Sequence, residues 1–110
     1  MSLRGFATRA TLQSAAGATG NGTVMDVTGI AWVGLQVTGI TTATITWECS
    51  IDGANWEGIR ATQLSTGTAA ATATANGIYQ IDARGVPLIR ARISAFTTGS
   101  ITVVATAESD

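Results

Sequence analysis

From Trp32 to Val37 the residues alternate strictly, with Val33, Leu35 and Val37 on one side and Trp32, Gly34 and Gln36 on the other. A period of two fits a strand buried on one face and is incompatible with the 3.6-residue repeat of an amphipathic helix. The run from Thr42 to Ile51 continues the pattern, placing Ile45, Trp47 and Cys49 inward and Thr44, Thr46, Glu48 and Ser50 outward. No segment sustains a helical period, so no helix longer than two turns is expected.

Strands are therefore expected at 31–38 and 42–51, then near 56–62, 78–83, 88–95 and 100–107, each bounded by Gly, Asn or Thr-Gly turn signals. Segments 11–15 and 23–27 bring the total to about eight. The only proline, Pro87, stands at the opening of a strand, where a missing N–H is tolerated. The expected fold is all-β, an antiparallel β-sandwich of about eight strands in which a jelly-roll-like arrangement is one form. Residues 1–110 fit one domain, with residues 1–10 expected to be a flexible or partner-contacting arm.

An internal echo runs through the chain. Asp26, Gly29, Thr41, Thr42, Ile45 and Thr46 recur 56 positions later as Asp82, Gly85, Thr97, Thr98, Ile101 and Thr102. Either two similar hairpins form a pseudo-symmetric sandwich, or Thr-rich strands at similar spacing match by chance. Residues 65–76, STGTAAATATAN, lack an anchoring large side chain and read as a mobile loop or a thin edge strand completed by a neighbour.

Composition narrows the function classes. There is no histidine and no lysine, which removes the commonest general base, Ser–His and Cys–His nucleophile pairs, Schiff-base chemistry and the P-loop. A single cysteine makes neither an internal disulfide nor a metal site by itself. Six arginines without a basic run, at net charge -1, argue against a nucleic-acid partner. No apolar run reaches the ~18 residues of a membrane span, and the first residues lack a signal-peptide pattern, so synthesis in the cytoplasm is expected. No enzyme activity, metal or cofactor is expected. Charged residues make up only 12% of the chain, against about 25% in a typical domain, so the surface is poorly defended against association.

The sharpest local motif is Ser50-Ile51-Asp52-Gly53-Ala54-Asn55-Trp56. Asp-Gly supplies a turn, because Asp bonds its own following backbone and Gly accepts positive φ, and Trp56 caps the hairpin. Such turns resemble those of discoidin-type sugar- or lipid-binding domains and the Asp box of sialidase propellers, where the motif is largely structural. Glu48, Asp52 and Glu57 read as solvated turn and strand carboxylates. Trp47 reads as core, whereas Trp32 faces away from Val33 and Leu35 and is a candidate interface or sugar-stacking residue. Arg90 and Arg92 project from one strand face, either as plain outer surface or as inter-subunit partners of carboxylates. The candidate partner or glycan contacts are thus Trp32, Asp52, Asn55, Trp56, Arg90 and Arg92.

The order GTVMDVTG, WVGLQVTG, WECSIDGANW, GIYQID, IRARIS and SITVVATA resembles small β-sandwich proteins of tailed-bacteriophage structural gene clusters. The resemblance implies a virion component: a capsid decoration or cement protein, or a small tail or neck protein. It implies as partners the phage major capsid or tail protein and further copies of the chain, with a trimer favoured. A carbohydrate-binding or adhesion module built on Trp56 or Trp32 with Asp52 and Asn55 is the alternative. Saturable glycan binding would favour that alternative, and a defined oligomer without glycan affinity would favour the virion role.

Overall fold

The computed structural model describes residues 7–108. Nine strands follow one another: β1 (Ala7–Ala16), β2 (Met25–Asp26), β3 (Trp32–Ser50), β4 (Glu57–Gly58), β5 (Ala61–Gln63), β6 (Ala69–Ala70), β7 (Thr72–Ala73), β8 (Gly77–Asp82) and β9 (Leu88–Glu108). No helix occurs among the described residues, and every strand pairing is antiparallel. The hydrogen-bonded order is β1-β9-β3-β8-β5-β6, with β2 on β9 and β4 and β7 on β3.

Two differences from the sequence-based strand map have one cause. The strands expected at 31–38 and 42–51 are a single 19-residue strand, and those at 88–95 and 100–107 are a single 21-residue strand. At about 3.3 Å per residue each would run roughly 60–70 Å if straight, yet the longest dimension of the molecule is 48 Å. Both strands therefore bend. Register shifts cluster between Thr38 and Ile45, and Gly39 (φ 81°) and Gly99 (φ 134°) lie at the bend, each adopting a backbone closed to other residues. The early half of β3 pairs with the late half of β9, and the late half of β3 with the early half of β9. One continuous sheet thus folds across itself, and inward residues from both halves, among them Val33, Leu35, Ile45, Trp47, Ile93 and Val103, join a single core.

The echo is a structural repeat. Met25 and Asp26 pair with Ile89 and Leu88, and their counterparts Ile81 and Asp82 pair with Val33 and Trp32. The Val27 N–H donates to the Pro87 carbonyl at 2.7 Å, and the Ala83 N–H donates to the Ala31 carbonyl at the same distance. Asp26 caps the Thr28 N–H at 2.9 Å, as Asp82 caps that of Arg84 at 3.1 Å. A pseudo-two-fold axis therefore relates the two halves, passing near the Thr42–Thr98 pair. Duplicated sequence has given duplicated hydrogen bonding, which excludes a chance match of Thr-rich strands.

Several details depart from expectation. Glu48 and Ser50 lie on the face away from the core, as the alternation implies, yet both are buried, because the loop that follows folds back over them. Cys49 is only half-buried, at the open end of the core beyond Trp47, so it is not the packed core thiol that alternation implied. Of the arm expected at 1–10, residues 7–10 belong to β1, and residues 1–6 lie outside the described residues. The 65–76 stretch holds two thin edge strands, β6 and β7. The strand expected at 56–62 is divided into β4, on β3, and β5, on β8.

Candidate functional site

The loop between β3 and β4 organises itself around one carboxylate. Asp52 Oδ1 accepts the backbone N–H groups of Ala54 and Asn55, both at 2.8 Å, and Oδ2 accepts the Asn55 side-chain amide at 2.7 Å. Ser50 Oγ accepts the Gly53 N–H at 2.8 Å and donates to Asp52 Oδ1 at 3.2 Å. The Trp56 indole N–H donates to the Gly53 carbonyl at 3.3 Å. Asp52 and Asn55 therefore shape the loop, as Asx turns do, and their polar atoms are engaged within it.

This loop lies on the outer face of the β3–β9 ladder. Trp56 stacks against Arg90, whose guanidinium carbon is 4.0 Å from the ring centroid. Glu48, opposite Arg90 in register, accepts Arg90 Nε at 2.8 Å and Arg92 Nε at 3.1 Å. The three side chains are 10% (Glu48), 14% (Arg90) and 35% (Arg92) exposed, so the cluster is largely removed from water. Five of the six sequence candidates thus meet in one arrangement, and Glu48, read from the sequence as a solvated carboxylate, is its covered and paired member.

Trp32 belongs to a second arrangement. It is 47% exposed, and the Arg84 guanidinium lies 5.6 Å from its ring centroid. Arg84 donates from Nε and Nη2 to the two oxygens of Asp82, at 2.8 and 2.6 Å. Between the two copies of the repeated turn, residues 28–31 and 83–87, lies a cavity of about 400 Å³. A second cavity of about 360 Å³ is bordered by Cys49, Ile51, Asp52 and Glu57. Val86 lines both, so apolar surface is continuous across this end of the molecule.

The electrostatics favour fixed anions over proton transfer. Asp52 is held well below the usual carboxylate range, first by the Asn55 and Ala54 N–H groups and then by the Asn55 amide. Asp82 is lowered from 3.8 to about 2, first by the Arg84 side chain and then by its N–H. Asp26 is lowered by the Thr28 hydroxyl and N–H. Burial raises the Cys49 thiol, with Glu57 and Glu48 adding to the shift, so it is not an activated thiolate. Among the described residues no cluster of three or more His, Cys, Asp or Glu side chains could hold a metal ion.

Two expected results follow from these caps. A folded carboxyl pKa below its unfolded value contributes stability above the unfolded value and loses it as pH falls through the folded one. The thermal midpoint should therefore be insensitive to these groups between pH 7 and about pH 5, then fall from about pH 4 toward pH 2, as Asp26, Asp82 and Asp52 take up protons. Asp52→Asn should flatten part of that acid slope; an unchanged slope in thermal melts would show that the caps contribute nothing. The second concerns Gly53, which has φ 80°. Gly53→Val forces a branched side chain into the left-handed region and should cost about 1–2 kcal/mol, read as a lower urea midpoint.

The chain matches the XepA family model over residues 7–107. In three dimensions it is similar to the PBSX exported protein XepA, with TM-score 0.91 and 19% identity over 98% of this chain and 39% of XepA. It is also similar to the SPBc2 prophage-derived protein YomS, with TM-score 0.86 and 15% identity over 98% of this chain and 96% of YomS. No curated protein sequence matches it. The chain therefore spans a minor part of XepA and nearly the whole of YomS. With its all-β architecture and a family match running from the first strand to the last, the chain belongs to the XepA family.

Proposed function

We propose that this chain is a phage-encoded, non-enzymatic structural protein that acts by packing against other protein, as a decoration or cement protein of the phage head. The observation that carries the reading is the way its conspicuous polar residues are engaged. Asp52, Asp82 and Glu48 are each occupied by neighbouring groups of the same chain, which builds a fixed surface rather than a site awaiting a substrate. Two fold relatives bear phage names, XepA of PBSX and YomS of the SPBc2 prophage, which supports a phage origin. Low charge together with exposed Trp32, Ile51 and Ile78 supports a surface meant to be covered.

The test is to purify particles from the parent phage and assay them for the chain, alongside the surrounding medium. A cement role predicts a fixed copy number per particle, and particles made without the chain should lose their DNA at lower temperature until purified protein is added back. Recovery of the chain only in the medium would defeat the virion role and favour release from the cell, a fate that the word "exported" attaches to XepA.

A second reading, glycan binding, is supported by Trp32 alone. It stands on the same face as Gln36, which with Arg9, Ile78 and Thr106 borders a cavity of about 430 Å³. Saturable binding to a polysaccharide, lost in Trp32→Ala, would establish it.

A further inference from the structure

Gly34 is a glycine that the fold does not demand. It lies inside β3, paired with Gln80 of β8 on one side and Thr106 of β9 on the other, in a register unbroken from Val33 to Val37. Its φ lies outside the positive region that holds Gly39 and Gly99 to glycine. An added Cβ would meet the Thr106 methyl at 3.4 Å, an ordinary contact, and nothing else. Glycine weakens a strand interior, and where no bulge, bend or crowding requires it, it marks a place that a ligand approaches closely.

The residues around Gly34 form a cleft. Directly paired residues share one face of a sheet, so Arg9, Thr106, Gly34 and Gln80 make a single row across four strands. Gln36 and Ile78 stand in the next row, and Trp32 stands two residues from Gly34 in the other direction. Above the bare floor at Gly34 lies the cavity of about 430 Å³ that Arg9, Gln36, Ile78 and Thr106 border. Gln36, Gln80 and Thr106 are exposed, and among the described residues their side chains make no hydrogen bond within the chain. In this they differ from Asp52, Asp82 and Glu48, whose polar atoms are engaged.

We propose that this cleft binds an acidic polysaccharide, with one sugar ring stacked on Trp32 and the carboxylate of a nearby ring on Arg9. The apolar C–H face of a sugar ring suits the exposed indole, and the amides of Gln36 and Gln80 and the Thr106 hydroxyl suit its hydroxyl groups. Charge complementarity decides for an acidic chain over a neutral one. Arg9 brings a cation to the border of the cleft, while Asp82, paired with Trp32 in register, is already neutralised by Arg84. A planar guanidinium holds a carboxylate in a bidentate manner. From Arg9 to Trp32 is two strand spacings and one two-residue step, roughly 12 Å between Cα atoms, which is the span of linked rings rather than of one. The site rests on the glycan reading given above and names its sugar; it does not depend on the virion role.

The experiment is isothermal titration calorimetry of the full chain with polygalacturonate and, separately, with dextran, at low and high salt. The wild type should bind polygalacturonate more tightly than dextran, and the difference should shrink in high salt. Gly34→Thr should weaken polygalacturonate binding at least about tenfold while its melting temperature stays level or rises, because threonine favours a strand and fills only the cleft. A purely structural glycine would give the reverse, a lower melting temperature with binding unchanged. Arg9→Gln should remove the preference for the acidic polymer and leave any affinity for dextran as it was. If Gly34→Thr fails to fold, Gly34→Ala, whose methyl meets Thr106 alone, takes its place. Dextran bound as tightly as polygalacturonate overturns the acidic assignment. Binding lost in Trp32→Ala but untouched by the Gly34 and Arg9 variants overturns the cleft and keeps the glycan reading, whereas no binding to either polymer defeats both.

Discussion

Gly39→Val is expected to lower stability by about 3–5 kcal/mol, and thermal denaturation should show a midpoint lower by roughly 15–30 °C for a domain of this size. Two costs combine. Gly39 has φ 81°, where a residue bearing a Cβ carries about 1–2 kcal/mol of strain, and a β-branched one more. A Cβ there would also overlap the Ser100 carbonyl oxygen and approach its carbon to 2.8 Å. That contact is backbone, so relief requires β3 and β9 to separate beside the Ile40–Gly99 pair, where both strands turn from one half of the sheet into the other. Gly20→Ala is the control, because nothing lies within 4 Å of the added methyl, and it should change stability by no more than about 0.5 kcal/mol. Equal midpoints for Gly39→Val and wild type would mean that the bend does not depend on this backbone conformation.

Glu48→Ala is expected to cost about 2–4 kcal/mol. Removing one partner of a buried ion pair leaves the other charge desolvated and unpaired, and this penalty exceeds the value of the pair itself. Arg90, 14% exposed and fixed under Trp56, carries most of the effect; Arg92, 35% exposed, is partly screened by solvent and contributes less. The prediction is sharpest as a comparison. Replacing both groups, Glu48→Ala with Arg90→Met, should restore part of the loss, since the methionine side chain keeps apolar contact with the Trp56 ring without a buried cation. Urea denaturation of the single and double variants measures this, and a double variant less stable than the single would show that Arg90 stabilises the fold even without Glu48, so that an orphaned charge is not the source of the loss.

The two experiments probe features of different legibility. The alternation around Val33 and Trp47 is local, and it marked both as inward whichever strands they joined; both are fully buried. The Asp52-Gly53 turn was equally readable, because an aspartate capping the next N–H groups needs only its own neighbours. The repeated Asp-Gly turns at 26–29 and 82–85 were visible as an echo, and their reciprocal hydrogen bonds to Pro87 and Ala31 follow from the same residues placed twice.

What the sequence by itself determined, then, is what depends on short range: the all-β class, the inward faces, the turns and the duplication. Only the tertiary structure decided that four expected strands are two, because a glycine-marked break in a pattern reads alike as a turn or as a bend until the partner strand is seen to pair on both sides of it. It also decided the fate of Glu48 and Cys49. Alternation assigns a face but cannot say what covers that face, and here the 51–56 loop and the paired arginines close over Glu48 while Cys49 is left at the open end of the core. The meeting of Arg90, Arg92 and Glu48 required a register across more than forty residues of chain, and such a register is set by the packing of the whole sheet rather than by any segment of it.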